Sequence, residues 1–504
     1  MPQRGQLPAR YRRRLVELGA VAAGVLLVLA FDPAGWWPVA LLSPALLFLL
    51  WQGAGPGRAA WLGFLYGFAA FLAGTWWTFV SVHDFGKAPA ALAALLTLGL
   101  AALMAAYYAL LGWAAARWLP PAGLMRWLVG LPAAWVLLEW VRGWFLSGFP
   151  WLSLGFSQTD SVLGALAPLG GLYGLSWACA LGAGALATLL REDLARRVAA
   201  IGVLFALFAA AAIAERQVWT RPAGPPLQAA MIQGAVGQDE KWLETQLEPT
   251  RELYLGLTEP HWGKDLLIWP EAALPALLHQ EIGFLEVLDE RARAAGSELL
   301  MGILERDPRD GQFYNTLVSL GGEPEIYRKR HLVPFGEYFP VPEFVREVMR
   351  MMSLPYSDIA PGPPDPGPMT LGGVPVAPTI CYEDAFGAQQ RVFFPAAELL
   401  VNVSNDAWFG DTIAPFQHLQ IARMRAMETG RWMLRATNNG ITAVIEPDGR
   451  VAARSVQFKP AVVVGEVVPM QGMTPWLRMG DLPLAGGAAL LFLLPALRRN
   501  RAGR

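Results

Sequence analysis

Cysteine is nearly missing from the chain. Its two cysteines among 504 residues, Cys179 and Cys381, are too few for a disulfide framework. Cys179 lies inside an apolar run and reads as a small buried packing residue; no bridge between the two is expected, because they fall in stretches of different texture. Charge is scarce as well. Asp, Glu, Lys and Arg supply 16% of the residues against 54% hydrophobic, and mean hydropathy is +0.35, which excludes an ordinary soluble globule. The net charge of -1 is uninformative alone, but no basic stripe with interleaved aromatics is present, so no nucleic-acid partner is expected. The five histidines, His83, His261, His279, His331 and His418, show no ligand spacing, so no metal site is expected. A Walker phosphate loop, a Gly-x-Ser-x-Gly elbow and a zinc-protease helix are also absent, and no cofactor is expected.

Long apolar runs are what the chain has instead. Arg4, Arg10, Arg12, Arg13 and Arg14 precede a run at 15–31; Phe31-Asp32-Pro33 is no small-residue cleavage site, so the run reads as a first anchor. Others lie at 36–51, 59–82, 88–116, 125–146, 161–190, 198–215 and 482–497. Each reaches or approaches the ~18–20 residues needed to cross a bilayer, which predicts about seven spans before a large polar stretch and one after it. With the N-terminus in the cytoplasm, Arg58, Arg117, Arg126, Arg191, Arg196, Arg197, Arg498, Arg499, Arg501 and Arg504 all fall on that side, leaving Lys87 and Arg142 opposite. That satisfies the positive-inside rule and puts the stretch after 215 outside the cytoplasm. Glu139-Trp140-Val141-Arg142, with Gly148-Phe149-Pro150-Trp151 after it, has two readings: an interfacial aromatic belt and turn, or a functional pair of Glu139 and Arg142, since ionisable groups at membrane depth are costly.

From about residue 225 to 470 the texture changes to short apolar strands alternating with amphipathic helices. Strands are predicted at 227–232, 266–269, 299–304, 316–320, 374–381, 399–403, 433–436, 442–445 and 461–468, and helices at 240–257, 282–295 and 415–428. That alternation implies a layered α/β fold. The expected organisation is a membrane domain over 1–220, an extramembrane catalytic domain over 221–475, and a final span with a basic tail over 476–504.

Cys381, in Ile380-Cys381-Tyr382-Glu383, follows one apolar strand; Glu271, in Trp269-Pro270-Glu271, follows another; Lys329 sits between them in sequence, in Tyr327-Arg328-Lys329-Arg330. A thiol with a free pKa of about 8.5 needs a base or a cationic neighbour to attack a carbonyl. Glu271 can take the thiol proton, and Lys329 can stabilise the oxyanion. Taken singly, the three read as a strand end, a solvated basic run and a core cysteine; together, in order and at strand ends of one domain, they read as a catalytic triad.

These motifs, with Pro334-Phe335-Gly336-Glu337, resemble the carbon–nitrogen hydrolase (nitrilase) superfamily and its Glu-Lys-Cys triad. Flanking spans, Gly148-Phe149-Pro150-Trp151, Gln233-Gly234, the stretch Asn402 to Gly410 and Thr437-Asn438-Asn439-Gly440 are similar to its membrane-bound apolipoprotein N-acyltransferase family. The resemblance implies an αββα sandwich on a bacterial inner membrane, facing the periplasm, with both termini cytoplasmic. It implies an acyl group taken from a phospholipid, phosphatidylethanolamine above all, by Cys381 and passed to the α-amino group of a diacylglyceryl-cysteine at an apolipoprotein N-terminus, by a monomer. By the same matching Glu337 and Glu383 are supporting carboxylates. Trp242, Tyr382, Asn402, Trp408 and Asn439, with Glu139 and Arg142, are candidate pocket residues, and Asn405 shapes the site or satisfies a turn. Apolar stretches at 335–339 and 349–356 are candidate lids. Two alternatives stand beside this reading: a membrane-tethered amidase acting on a soluble substrate, and a transporter or receptor with an α/β ligand-binding domain.

Overall fold

The computed structural model describes residues 8–338 and 358–502. It divides into two compact units: Met1–Gln217, Asp411–Gln420 and Arg478–Arg504 in the first, Val218–Gly410 and Ile421–Leu477 in the second.

The first unit is helical: Ala9–Val28, Val39–Leu50, Pro56–Gly74, Trp77–Val80 running into Ser81–Phe85, Ala90–Trp118, Met125–Gly130 continuing as Leu131–Arg142, Ala167–Arg191, Leu194–Ala214 and Leu482–Ala502. Small residues let its helices approach closely. A Cβ on Gly63 would lie 2.1 Å from the Tyr108 carbonyl oxygen, and one on Gly112 would lie 2.4 Å from that of Ala59, so Pro56–Gly74 and Ala90–Trp118 each accept the other's backbone. Among the described residues three helices are long and apolar enough to cross a membrane, Ala90–Trp118, Val162–Arg191 and Leu194–Ala214, with a fourth if Pro56–Gly74 and Trp77–Phe85, bent by 54°, form one span. That is fewer than the hydropathy runs, because Val39–Leu50 is short, Ala9–Val28 opens on four arginines, and the run at 125–146 is divided between Met125–Gly130 and Leu131–Arg142. The stretch Asp411–Gln420, read from sequence as extramembrane, groups with these helices. Gln417 makes the connection: its Oε1 accepts from the Trp151 indole (2.7 Å) and the Trp77 indole (3.3 Å), and its Nε2 donates to the Gly74 carbonyl (3.2 Å).

The second unit contains, in chain order, β1 Arg221–Pro222, β2 Leu227–Gln233, β3 Leu266–Ile268, β4 Glu298–Arg306, β5 Phe313–Leu320, β6 Ile326–Arg328, β7 Met369–Leu371, β8 Val374–Ile380, β9 Leu399–Ser404, β10 Met433–Thr437, β11 Ala443–Ile445, β12 Val451–Arg454, β13 Ala461–Val467 and β14 Met470–Gln471. β1 and β14 form a short ribbon; the rest form two six-stranded sheets, ordered β13-β2-β3-β4-β5-β6 and β12-β11-β10-β9-β8-β7. Each sheet has a parallel core of three strands, β2-β3-β4 and β8-β9-β10, with antiparallel strands outside it. The sheets face each other where β10 meets β2.

Helices cover the first sheet because their apolar residues recur at helical spacing. In Ile282–Ala295, Leu285, Leu288 and Ala292 are buried, and Gly296 ends the helix at φ +70°, a left-handed position that glycine fills without strain. Leu285 and Leu288 join Tyr254, Leu267, Trp269, Leu299, Met301 and Ile303 in one core. The predicted helix at 240–257 begins later, at Leu247; residues before it remain in a turn that approaches the site.

Candidate active site

Parallel strands leave loops at their carboxyl ends, where ligands gather in α/β folds, and the catalytic candidates stand there. β3 ends at Ile268. Trp269 continues its direction, packed on Tyr254 with ring centres 4.9 Å apart and its indole N–H donating to Thr258 (2.9 Å). Pro270 offers no N–H to the ladder, so the chain leaves the sheet at Glu271. Ala272 then adopts φ +45°. Neighbouring β4 leaves room through Gly302, where a Cβ would sit 2.6 Å from both Ala272 N and Pro270 O.

The Glu271 carboxylate is held from two sides. Oε1 accepts from the Asn315 side-chain amide (2.7 Å) and lies 3.6 Å from Lys329 Nζ, while Oε2 accepts from the Asn405 backbone N–H (2.8 Å). Lys329 follows β6, its backbone N–H bonded to the Asn315 carbonyl (2.8 Å). Its side chain is 1% exposed, and Nζ donates to Glu337 Oε1 at 2.9 Å. Glu337 also accepts from Asn315 Nδ2 (3.1 Å) and the Val333 N–H (2.8 Å). Burial acts to lower the ammonium, but Glu337, Glu271 and Cys381 outweigh it and raise it above the ordinary lysine range.

Cys381 opens a short 3-10 turn after β8, at φ +53°, a left-handed angle that aims the side chain out of the strand direction and is costly away from glycine. It is half-buried. Burial is the largest influence on its thiol and raises it well above the usual range; Glu271 and Asp406 act the same way, while Lys329 and a hydrogen bond with Ser404 oppose them. The resting site therefore holds a protonated thiol beside a charged ammonium.

Glu383 acts through backbone. Its carboxylate accepts from the N–H groups of Ile380 (2.7 Å), Arg330 (2.7 Å) and His331 (3.2 Å) and from the Tyr327 hydroxyl (2.8 and 2.9 Å). One side chain thus ties the loop carrying Lys329 to the turn carrying Cys381. Burial raises its carboxyl, opposed by the Ile380 and Arg330 N–H groups. Asn402 sits beneath the cysteine turn, donating to Thr379 (3.0 Å) and the Cys381 carbonyl (3.4 Å) and accepting from Arg435 (2.5 Å).

The other candidates fall in different places. Tyr382 is buried and packs edge-on against Phe386 at 4.9 Å. Trp242 and Trp408 are exposed. Asn439 is half-buried, with its Oδ1 buried and unpartnered among the described residues. Glu139 and Arg142 lie in the helical unit, buried, and hold the loop 149–154. Arg142 donates to the carbonyls of Phe149 and Trp151 (2.6 Å each) and to Ser153 Oγ (2.9 Å), while Glu139 accepts from the Trp135 indole (2.8 Å) and the Leu154 N–H (3.0 Å). Phe335 is exposed at φ +64°; Phe339 and the candidate lid at 349–356 lie outside the described residues.

Sequence reasoning passed over several participants. Asn315 bridges both carboxylates, and a lone amide inside the apolar strand Tyr314 to Leu317 was its signal. Asn438 links Asn405 (3.0 Å) to the Val236 carbonyl (2.9 Å). Arg435, fully buried in β10, pairs with Asp384 and Asp406 at 3.1 Å each. Lys241, next to Trp242, turns inward to Glu271; nothing in its spacing marks it.

Two family models match the chain: the apolipoprotein N-acyltransferase N-terminal domain over residues 23–185 and carbon–nitrogen hydrolase over 228–476. A relative in Azotobacter vinelandii named apolipoprotein N-acyltransferase is 46% identical over 97% of this chain and 96% of its own length. One of the same name in Methylococcus capsulatus is 42% identical over 96% of each. Saccharomyces cerevisiae Nit3, a nitrilase-superfamily structure, aligns at 16% identity and TM-score 0.37 over 48% of this chain and 90% of its own. With both halves matched and relatives aligned almost end to end, the chain belongs to the apolipoprotein N-acyltransferase family within the carbon–nitrogen hydrolase superfamily.

Proposed function

We propose that this membrane protein is an N-acyltransferase that moves a fatty acyl group from a phospholipid, through a thioester on Cys381, to the α-amino group of the S-diacylglyceryl-cysteine at an apolipoprotein N-terminus. The observation that carries the reading is the convergence of Glu271 on Lys329 at 3.6 Å, in electrostatic contact with Cys381. In the first half-reaction Sγ attacks the ester carbonyl as Glu271 takes the thiol proton. The Lys329 ammonium stabilises the oxyanion. Collapse breaks the ester C–O bond, and the lysophospholipid oxygen leaves with the proton held by Glu271. In the second, the neutral amine attacks the thioester, Glu271 takes one N–H proton and returns it to the departing sulfur, and an amide remains. A thioester keeps the acyl group activated, so the transfer needs no nucleotide.

Glu337 sets the ammonium, and Glu383 and Asn402 fix the turns that carry Lys329 and Cys381. Trp242, Trp408 and Asn439 are proposed to line the lipid approach, and Tyr382 to wall the pocket by packing; Glu139 and Arg142 shape the loop 149–154. The donor is phosphatidylethanolamine and the working form a monomer in the bacterial inner membrane. The arginine distribution supports cytoplasmic termini and a periplasmic catalytic domain; anchoring both substrates in one bilayer raises their effective concentration at the site.

Mass spectrometry of the purified protein after incubation with phosphatidylethanolamine tests the reading. One acyl group on Cys381, discharged by a diacylated lipopeptide with a free amino terminus, is expected. An active preparation without the adduct, or one that hydrolyses soluble amides and ignores the lipopeptide, refutes it.

A further inference from the structure

Lys241 is a second lysine at the site, and the mechanism above leaves it unused. It stands in the loop after β2, where Glu240 and Trp242 on either side are exposed and Lys241 itself is 1% exposed. Its backbone N–H is bonded to the Gly237 carbonyl (3.0 Å), and its side chain runs inward until Nζ lies 3.5 Å from the main-chain oxygen of Glu271. An ammonium has three donors to place, and burying one costs several kcal/mol unless it is well paired. A loop residue with solvent on both sides has no packing reason to take that cost.

The carbonyl it reaches belongs to the turn that aims the proposed base. Ala272 holds that turn at φ +45°, and Gly302 backs it so closely that a Cβ would lie 2.6 Å from its backbone. A left-handed turn outside glycine persists only when its surroundings hold it. Charge gives a second reason. Glu271 and Glu337 share the single ammonium of Lys329, at 3.6 and 2.9 Å, and Lys241 makes the count two and two.

We propose that Lys241 is a positioning residue for Glu271: its ammonium pins the main-chain carbonyl of the strained turn and supplies the second positive charge that lets two carboxylates share the pocket while Glu271 faces the thiol. The inference rests on the thioester mechanism and names a group required for its first half-reaction. Glu271 acts on Lys241 directly, Asp239 and Glu240 precede it in the same loop, and Lys329, Glu337 and Cys381 meet it through Glu271 and Lys329. The Cys381 thiol is raised well above its usual range and the Lys329 ammonium above its own, so both keep their charge state between pH 7 and pH 9. Burial lowers Lys241 to about 8, with Glu271 opposing. A lowered lysine is charged below that pH and neutral above it, so a step that needs its charge runs below pH ~8 and fades above it.

The test uses the full-length protein in detergent micelles with phosphatidylethanolamine and no acceptor, so that acceptor ionisation is absent from the readout. Initial rates of Cys381 acylation are followed by rapid quench and mass spectrometry from pH 7 to pH 9. The wild-type rate should fall about tenfold across that range, as expected for one titrating group centred near 8. Lys241→Arg keeps the charge and should stay level within about twofold; Lys241→Met should be at least about tenfold slower at pH 7 and show no such fall. A level wild-type profile, an unchanged fall in the arginine variant, or a methionine variant as fast as wild type overturns the inference. Thermal melting of both variants checks folding, and if the methionine variant does not fold, the arginine comparison decides alone. Wild-type protein that never acylates Cys381 refutes the thioester mechanism instead.

Discussion

Glu337→Gln is the sharpest perturbation of the proposed mechanism, because it removes a charge and almost no volume. Lys329 is 1% exposed and has its shortest ionic contact with Glu337, 2.9 Å against 3.6 Å to Glu271. Losing one partner of a buried pair costs about 3–5 kcal/mol, because the remaining charge is stranded away from water. Here a second carboxylate lies within reach, so the expected cost falls to the lower end, about 3 kcal/mol. The compensation is what disables the site: the ammonium closes on Glu271 and occupies the oxygen that should take the thiol proton. Loss of a positioned oxyanion donor alone slows catalysis about 10²–10³-fold, and Cys381 acylation should fall at least that far. Single-turnover acylation with phosphatidylethanolamine, read by mass spectrometry, measures it, with thermal melting in the same detergent as the stability readout. The sign of the pH dependence follows from the raised lysine. Its stabilising contribution is complete below the unfolded-state pKa and is lost only as pH rises through the higher folded value, so the stability difference between variant and wild type should be constant from pH 6 to pH 9. A Glu337→Gln protein that acylates Cys381 within threefold of wild type refutes the reasoning.

Three further outcomes follow from the same geometry. Glu383→Ala leaves the N–H groups of Ile380, Arg330 and His331 without their acceptor; at roughly 1–3 kcal/mol for each unsatisfied buried donor, it should lower the melting temperature and abolish acylation, and an active, equally stable variant would contradict the clamp. Leu288→Ala, in the core beneath β4, should destabilise the α/β unit by about 2–5 kcal/mol in chemical denaturation, yet leave the acylation rate of the folded fraction unchanged. Since the Cys381 thiol is raised, its alkylation by iodoacetamide should be slower than that of a free thiol at pH 8 and still climbing above pH 9; a plateau at pH 8 would show a thiolate the site does not favour.

Much of this was legible in one dimension. Apolar periodicity places Ile282–Ala295, because Leu285, Leu288 and Ala292 recur on one face and Gly296 stops the helix. Proline after Trp269 and the polar residues after Ile380 mark where strands end, and catalytic side chains collect at such ends, so Glu271, Lys329 and Cys381 could be named together. Lys241 and Asn315 could not. A lysine between glutamate and tryptophan reads as solvated, and only the path of the β2 loop turns it towards Glu271. The family resemblance implied that Glu383 is a supporting carboxylate, but its grip on three backbone N–H groups depends on two loops that follow strands of different sheets.

The sequence by itself determined the classes of element, the apolar helical unit and the order of the candidate residues, since each depends on local period, length and composition. Tertiary structure alone decided which of Glu271's oxygens meets Asn315 and which meets Asn405, that Asp411–Gln420 packs with the helices, and that a second lysine reaches the main chain of Glu271. Those are distances between residues far apart in the chain, set by how the two sheets and their loops close on one another, and no local pattern encodes them.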